Sequence, residues 1–107
     1  LPLHAPLVTV LRPGELRVRY NDGKDVEWFA VSGGYLQVYN DKVIVLADAA
    51  EHASRVDVDR ARQAKELLEQ RMAAVKEKPL MEREDLTECE EDLKWCEVQL
   101  QVAERRS

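Results

Sequence analysis

The feature that most constrains this 107-residue chain is a change of character near residue 50. All four glycines and three of the four prolines lie before that point, with most of the Val, Tyr and Phe. After it come Ala, Leu, Glu, Arg and Lys, without a single glycine. Glycine and proline punctuate tight turns, whereas the second set of residues favours helix. The expected fold class is therefore α+β, with a β portion over residues 1–50 and a helical portion over residues 51–107.

The β portion reads as short apolar runs separated by turn signals. Leu7-Val8-Thr9-Val10-Leu11 is a compact strand ended by Pro13-Gly14. In Glu15-Leu16-Arg17-Val18-Arg19-Tyr20, the residues Leu16, Val18 and Tyr20 share one face and three charges the other. Asn21-Asp22-Gly23-Lys24 supplies the positive-φ positions of a hairpin loop. Asp25 to Val31 begins by alternating and then becomes apolar on both sides, before Gly33-Gly34 allows a turn or bulge. Tyr35 to Tyr39 and Lys42 to Leu46 flank Asn40-Asp41, a second hairpin pair. Five antiparallel strands at this spacing predict part of a sandwich or barrel.

From about Asp57 the apolar period changes. Asp57 or Asp59 can cap a first helical turn. Ala61, Ala64, Leu68, Met72 and Val75 then form one stripe, ended by Lys76-Glu77-Lys78-Pro79. A second stripe comprises Leu86, Cys89, Leu93, Cys96, Leu100 and Ala103. The expected helices run over about residues 57–77 and 82–104, paired as an antiparallel hairpin. Their stripes could bury against each other, against the β portion or against a partner.

Several function classes fall away at this stage. A formal net charge of −5 leaves no broad basic surface for nucleic acid. No apolar run reaches the ~20 residues of a membrane-spanning helix. Leu1 to Ala5 show no basic segment leading an apolar one, so no signal peptide is expected. His4 and His52 have no partners at metal or triad spacing and read as exposed or loosely packed imidazoles. Cys89 and Cys96 lie two turns apart on one helix face, unlike the close pairs of zinc sites, and read as small core residues. No phosphate loop, dinucleotide fingerprint or nucleophile elbow is present. The acidic run Glu82, Glu84, Asp85, Glu88, Glu90, Glu91, Asp92 and Glu97 reads as a solvated helix face, or as one that repels acidic partners.

Taken in order, "HAPLVTVLRPGELRVRY", "FAVSGGYLQV", "DKVIVLADAAE", "VDVDRARQAKE" and the terminal "LQVAER" resemble the epsilon subunit of rotary F-type ATP synthases. The resemblance implies an N-terminal β-sandwich and a C-terminal helical hairpin. It also implies a non-catalytic central-stalk subunit of a proton-transporting complex, bound to gamma and seated on the c-ring. In that family the hairpin lies folded on the sandwich or extends along gamma into the alpha/beta hexamer, where it restrains ATP hydrolysis. Peripheral attachment at the cytoplasmic face of a bacterial inner membrane follows from the same likeness. Without the family, a stand-alone β ligand-binding module with a helical interaction hairpin is the competing reading.

Departures from the family set further expectations. Members carry several strands ahead of the "HAP" loop, so an incomplete sandwich is expected, either from a truncated chain or with a face completed by another chain. Leu3 stands where the family usually has glycine or a small polar residue. His4, in that loop, becomes a candidate interface residue. Some relatives bind ATP through a motif that Asp57, Arg60 and Ala61 match, with Glu51 at an upstream acidic position. Trp95 and Gln99 stand where those relatives carry arginines, and losing two guanidinium forks weakens phosphate binding. No cofactor beyond weakly bound ATP is expected, and the capping role of Asp57 is preferred. The acidic second helix argues for weak inhibition, or for contacts through Arg60, Arg62 and Arg71 on the first helix.

Overall fold

The computed structural model describes residues 7–106. Six strands are present among them: β1 (Leu7–Val10), β2 (Gly14–Tyr20), β3 (Asp25–Ser32), β4 (Tyr35–Tyr39), β5 (Lys42–Leu46) and β6 (Ala49–His52). Two helices follow, α1 (Val58–Lys76) and α2 (Thr87–Ala103). The strands form two three-stranded antiparallel sheets, ordered β1-β4-β5 and β2-β3-β6. The sixth strand corrects the expectation of five. Its sequence, Ala49-Ala50-Glu51-His52, contains no β-branched residue, and it is pairing with β3, from Phe29↔His52 to Ser32↔Ala49, that makes it a strand. The sheet therefore continues past residue 50.

Both hairpins follow from their turn residues. Asn40 and Asp41 take φ of 46° and 62°, and Tyr39 pairs with Lys42 around them. A two-residue loop with both central φ values positive matches the right-handed twist of its strands. Asn21, Asp22 and Gly23 turn β2 into β3 in the same left-handed region.

The chain passes between the two sheets three times, and all three passages meet at one end. There the Leu11 amide donates to the Gly34 carbonyl at 2.9 Å, and the Asp48 amide donates to the Ser32 carbonyl at 3.1 Å. Gly34, at φ +96°, lies so close to the third passage that a Cβ would stand 2.7 Å from the Ala47 Cα and 2.8 Å from the Leu46 carbonyl carbon. Glycine here permits backbone to touch backbone.

The sheet of β1, β4 and β5 keeps much apolar surface in view. Val8 (59 %), Val10 (70 %), Val43 (64 %) and Leu46 (61 %) are exposed. The other sheet is covered by α2. On its β3 strand, Ala30 and Trp28 meet Val98 and Val102 of α2, and Ala53 closes the cluster. This explains why β3 turns apolar on both sides: Ala30 and Val31, which point to opposite faces, are both buried. On the charged face of β2, Arg17 and Arg19 are exposed, and Glu15 is half-buried. Glu15 is paired with Arg105, and the Arg17 guanidinium lies 5.7 Å from the Trp28 ring.

In α1 the apolar stripe is placed as read, with Ala61 and Val75 buried and Ala64, Leu68 and Met72 half-buried. Its cap is Asp57, whose carboxylate accepts the Arg60 amide at 3.1 Å. The second helix, expected from about residue 82, begins at Thr87. A 3₁₀ turn over Leu80–Glu82 and an extended Arg83 intervene. Arg83 caps the first helix instead of extending the second. Its guanidinium donates to the carbonyls of Lys76 (2.8 Å) and Lys78 (2.9 Å), which the end of α1 would otherwise leave open. Asp85 then accepts the Thr87 amide at 2.9 Å and starts α2.

Gly34→Ala is expected to destabilise the chain by at least ~3 kcal/mol, since backbone must move apart as well as adopt a strained φ. Gly23→Ala, with open space around it, should cost about 1 kcal/mol. Urea titrations of both variants check the order; equal midpoints would contradict it.

Candidate functional site

A cleft of about 700 Å³ lies where α1, α2 and the connector between β6 and α1 meet. Its walls include Glu51, Arg55, Asp57, Arg60, Ala61, Trp95 and Gln99. From α1 come Ala61 and Leu68, and from α2 Asp92 and Gln99. The four residues singled out at this position (Glu51, Asp57, Arg60 and Ala61) thus come together, although they derive from a strand, a cap and a helix. Arg55 joins them; nothing in the sequence pattern marks it, because only the 3₁₀ turn Ala53–Arg55 brings it to the rim.

The chemistry of the cleft is mixed in sign. Glu51 accepts a hydrogen bond from the Gln99 amide at 3.1 Å, which ties β6 to α2. Asp57 is occupied as the α1 cap. Two guanidinium groups, Arg55 and Arg60, stand against the carboxylates of Glu51, Asp57 and Asp92. Such a wall can hold a polar ligand and stack a ring on Trp95, but it repels a polyanion as much as it attracts one. Cys96 lines the base, and burial pushes its thiol pKa up, with Asp92 adding to the effect. A raised thiol is a poor nucleophile.

Away from the cleft, His52 is better held than its spacing implied. Its Nδ1 accepts the Ser54 amide at 3.1 Å and lies 2.8 Å from the Ser54 hydroxyl. That arrangement leaves Nε2–H to donate to Glu27, and the Phe29 ring meets the imidazole edge-on at 5.1 Å. The expectation of a loosely packed imidazole is thereby corrected. The pairing of β3 with β6 creates the contact, and no local spacing could have revealed it. The bond from His52, aided by one from the Tyr20 hydroxyl, holds the Glu27 carboxyl below its ordinary 4.5. Tyr20 is raised in turn, chiefly through its hydrogen bond to Glu27. His4 and Leu3 lie outside the described residues. Cys89 and Cys96 are free, buried thiols on the face of α2 that turns to α1.

A β-sandwich whose third strand is roofed by a helical hairpin defines the class to which this molecule belongs, a two-part sandwich-and-hairpin protein. A family profile described as ATP synthase, delta/epsilon chain, beta-sandwich domain matches residues 1–53. The ATP synthase epsilon chain of Dehalococcoides mccartyi is 44 % identical over 106 residues, covering 99 % of this chain and 71 % of that one. That of Desulforamulus reducens is 53 % identical over 72 residues, covering 67 % and 53 %. The Acidithiobacillus ferridurans epsilon chain is 51 % identical over 73 residues, covering 68 % and 50 %. The chain thus spans about half the length of the latter two curated relatives. Among solved structures, a chain of the Euglena gracilis mitochondrial ATP synthase, OSCP/F1/c-ring in rotational state 1, aligns with a TM-score of 0.65 and 25 % identity. That alignment covers 96 % of this chain and 60 % of the other. The chain belongs to the ATP synthase epsilon chain family.

For Glu27 the sign of the linkage is fixed by the lowered pKa. Its contribution to stability is present above the unfolded-state pKa and is lost as pH falls through the folded one. An NMR titration of Glu27 should give a midpoint below 4.5 that climbs toward 4.5 in His52→Ala. An unmoved midpoint would show that His52 is not the cause.

Proposed function

We propose that the chain is a non-catalytic central-stalk subunit of an F-type ATP synthase. It would couple proton-driven rotation of the c-ring to ATP synthesis and adjust ATP hydrolysis by the position of its helical hairpin. The single observation that carries this reading is the 44 % identity to an ATP synthase epsilon chain across 99 % of the sequence. Geometry supports it. The β1-β4-β5 sheet presents apolar residues that a stalk partner would cover, and such a patch on a soluble monomer usually marks an interaction surface. The partners in this reading are gamma, the c-ring and, when the hairpin extends, the alpha/beta hexamer. The place is the cytoplasmic face of a bacterial inner membrane, reached through the complex. No helix among the described residues is long and apolar enough to cross a membrane.

Regulation in this reading is gentle. The exposed side of α2 is acidic, and bringing it near an acidic partner would be costly. Of the three α1 arginines able to compensate, Arg71 is already engaged with Glu84 at 2.9 Å, whereas Arg62 is largely exposed. Mixed with gamma and the catalytic hexamer, the chain should co-purify with gamma. Removing residues 82–107 should raise the ATPase rate only slightly. Failure to bind gamma would overturn the stalk assignment, and a several-fold jump in rate would overturn the weak inhibition.

ATP is at most a weak ligand of the cleft, because Asp57 and Glu51 are committed to internal hydrogen bonds and three carboxylates face the two arginines. Calorimetry is expected to return a dissociation constant on the order of millimolar. A micromolar value would contradict this account of the wall.

A further inference from the structure

Beyond the last turn of α2, two arginines reach back across the molecule in different directions. The Arg105 guanidinium lies 4.5 Å over the Trp28 ring and donates to both Glu15 oxygens at 3.3 and 3.4 Å. The Arg106 guanidinium donates to the Ala53 carbonyl at 2.8 Å and to the Val56 carbonyl. Glu15 and Trp28 belong to β2 and β3, on the face that α2 covers. Ala53 and Val56 bracket the 3₁₀ turn of the connector through which the hairpin is attached. One pair of consecutive residues thus fastens the C-terminal side of α2 both to the sheet and to the connector of the hairpin.

The physics of these contacts differs from that of the rest of the interface. The docked face of α2 is small and apolar, chiefly Val98 and Val102 against Ala30 and Ala53. The arginine contacts are directional. A guanidinium pairs two oxygens in its plane while its face rests on an indole, so it is satisfied at one position of the helix and not at neighbouring ones. Placed after the C-terminus of α2, both cations also favour the negative end of the helix dipole. An anion or a competing carboxylate near Arg105 would meet a group that is still 45 % exposed.

We propose that Arg105 and Arg106 form a latch that holds the hairpin on the β2-β3-β6 sheet, and that loss of these contacts releases α2 from the sheet while both helices stay folded. The latch deepens the proposed regulation, since it rests on the hairpin being movable. It is read on the chain alone, so its failure would leave the gamma-binding test untouched.

The experiment uses the full chain labelled with 5-fluorotryptophan and observed by ¹⁹F NMR. Trp28 and Trp95 give separate resonances, and Trp95 lies ten residues before Arg105 on α2. In R105A/R106A the exposed-type population of Trp95 should rise about fivefold or more, with helical circular dichroism retained. A shift of Trp28 alone would mean that only the local stack is lost, and would overturn the latch. R105E should release Trp95 in the same way, and adding Glu15→Arg should restore it by reversing the pair. Should the alanine pair fail to fold, the charge-reversal series decides. No recovery on adding Glu15→Arg would overturn the proposal.

Discussion

Burial of two valines on α2 holds this arrangement together. Among the described residues, Val98 and Val102 are the largest side chains to be fully enclosed, at 2 % and 0 % exposure. They lie one turn apart, on the side of α2 turned away from α1. Each removes about 1.5–3 kcal/mol of apolar exposure. Ala30 and Ala53 opposite them are small, which lets the helix sit close to the sheet. Without that contact the cleft lined by Glu51, Trp95 and Gln99 would lose one wall, and Arg105 would not reach Glu15. The site is a consequence of docking, not a feature of any single element.

The size of that docking energy matters for what the hairpin can do. Two valines and a handful of polar contacts amount to a few kcal/mol before the cost of ordering the connector is subtracted. Turning a two-state equilibrium from 1:99 to 99:1 takes about 5.5 kcal/mol of differential binding. The docked position therefore sits within the range that one protein partner can outcompete. A hairpin buried by many leucines would be fixed, and one with no valines would never dock.

The sequence made the α1–α2 seam legible but hid the second contact face of α2. Ala61, Ala64, Leu68, Met72 and Val75 recur at helical spacing, and all of them are at least partly enclosed. Cys89, Leu93, Cys96, Leu100 and Ala103 do the same on the partner helix. Trp95, Val98 and Val102 also recur at such steps, yet beside a stronger stripe they add only breadth to the apolar face. Their significance depends on β3, some 70 residues earlier in the chain. The sixth strand was obscured for a related reason: Ala49-Ala50-Glu51-His52 has weak local preference and is held by pairing that no window of sequence contains. In the same way, Arg83 has every local reason to extend α2, but the open carbonyls at the end of α1 compete for it. Residues Glu51, Asp57, Arg60 and Ala61 were legible as a group only through a motif. That they share a wall with Arg55 and Gln99 is a product of the tertiary fold.

Rigidity and mobility are divided along the same lines. At the end where the chain passes between sheets, Gly34 puts backbone against backbone, a contact with no side-chain torsion to relax. Movement there requires breaking amide–carbonyl bonds such as Leu11 to Gly34. The hairpin is joined differently. Its connector runs from His52 through the single turn Ala53–Arg55 to the Asp57 cap, and its carbonyls are held by a side chain, Arg106. Breaking the part-buried Arg106 bonds disturbs no strand pairing, whereas parting the sheets breaks backbone bonds. A pivot at residues 53–57 would leave these backbone contacts between the two sheets intact. Glu27, His52 and Ser54, bonded in series at the start of that connector, mark where the sheet gives way to it.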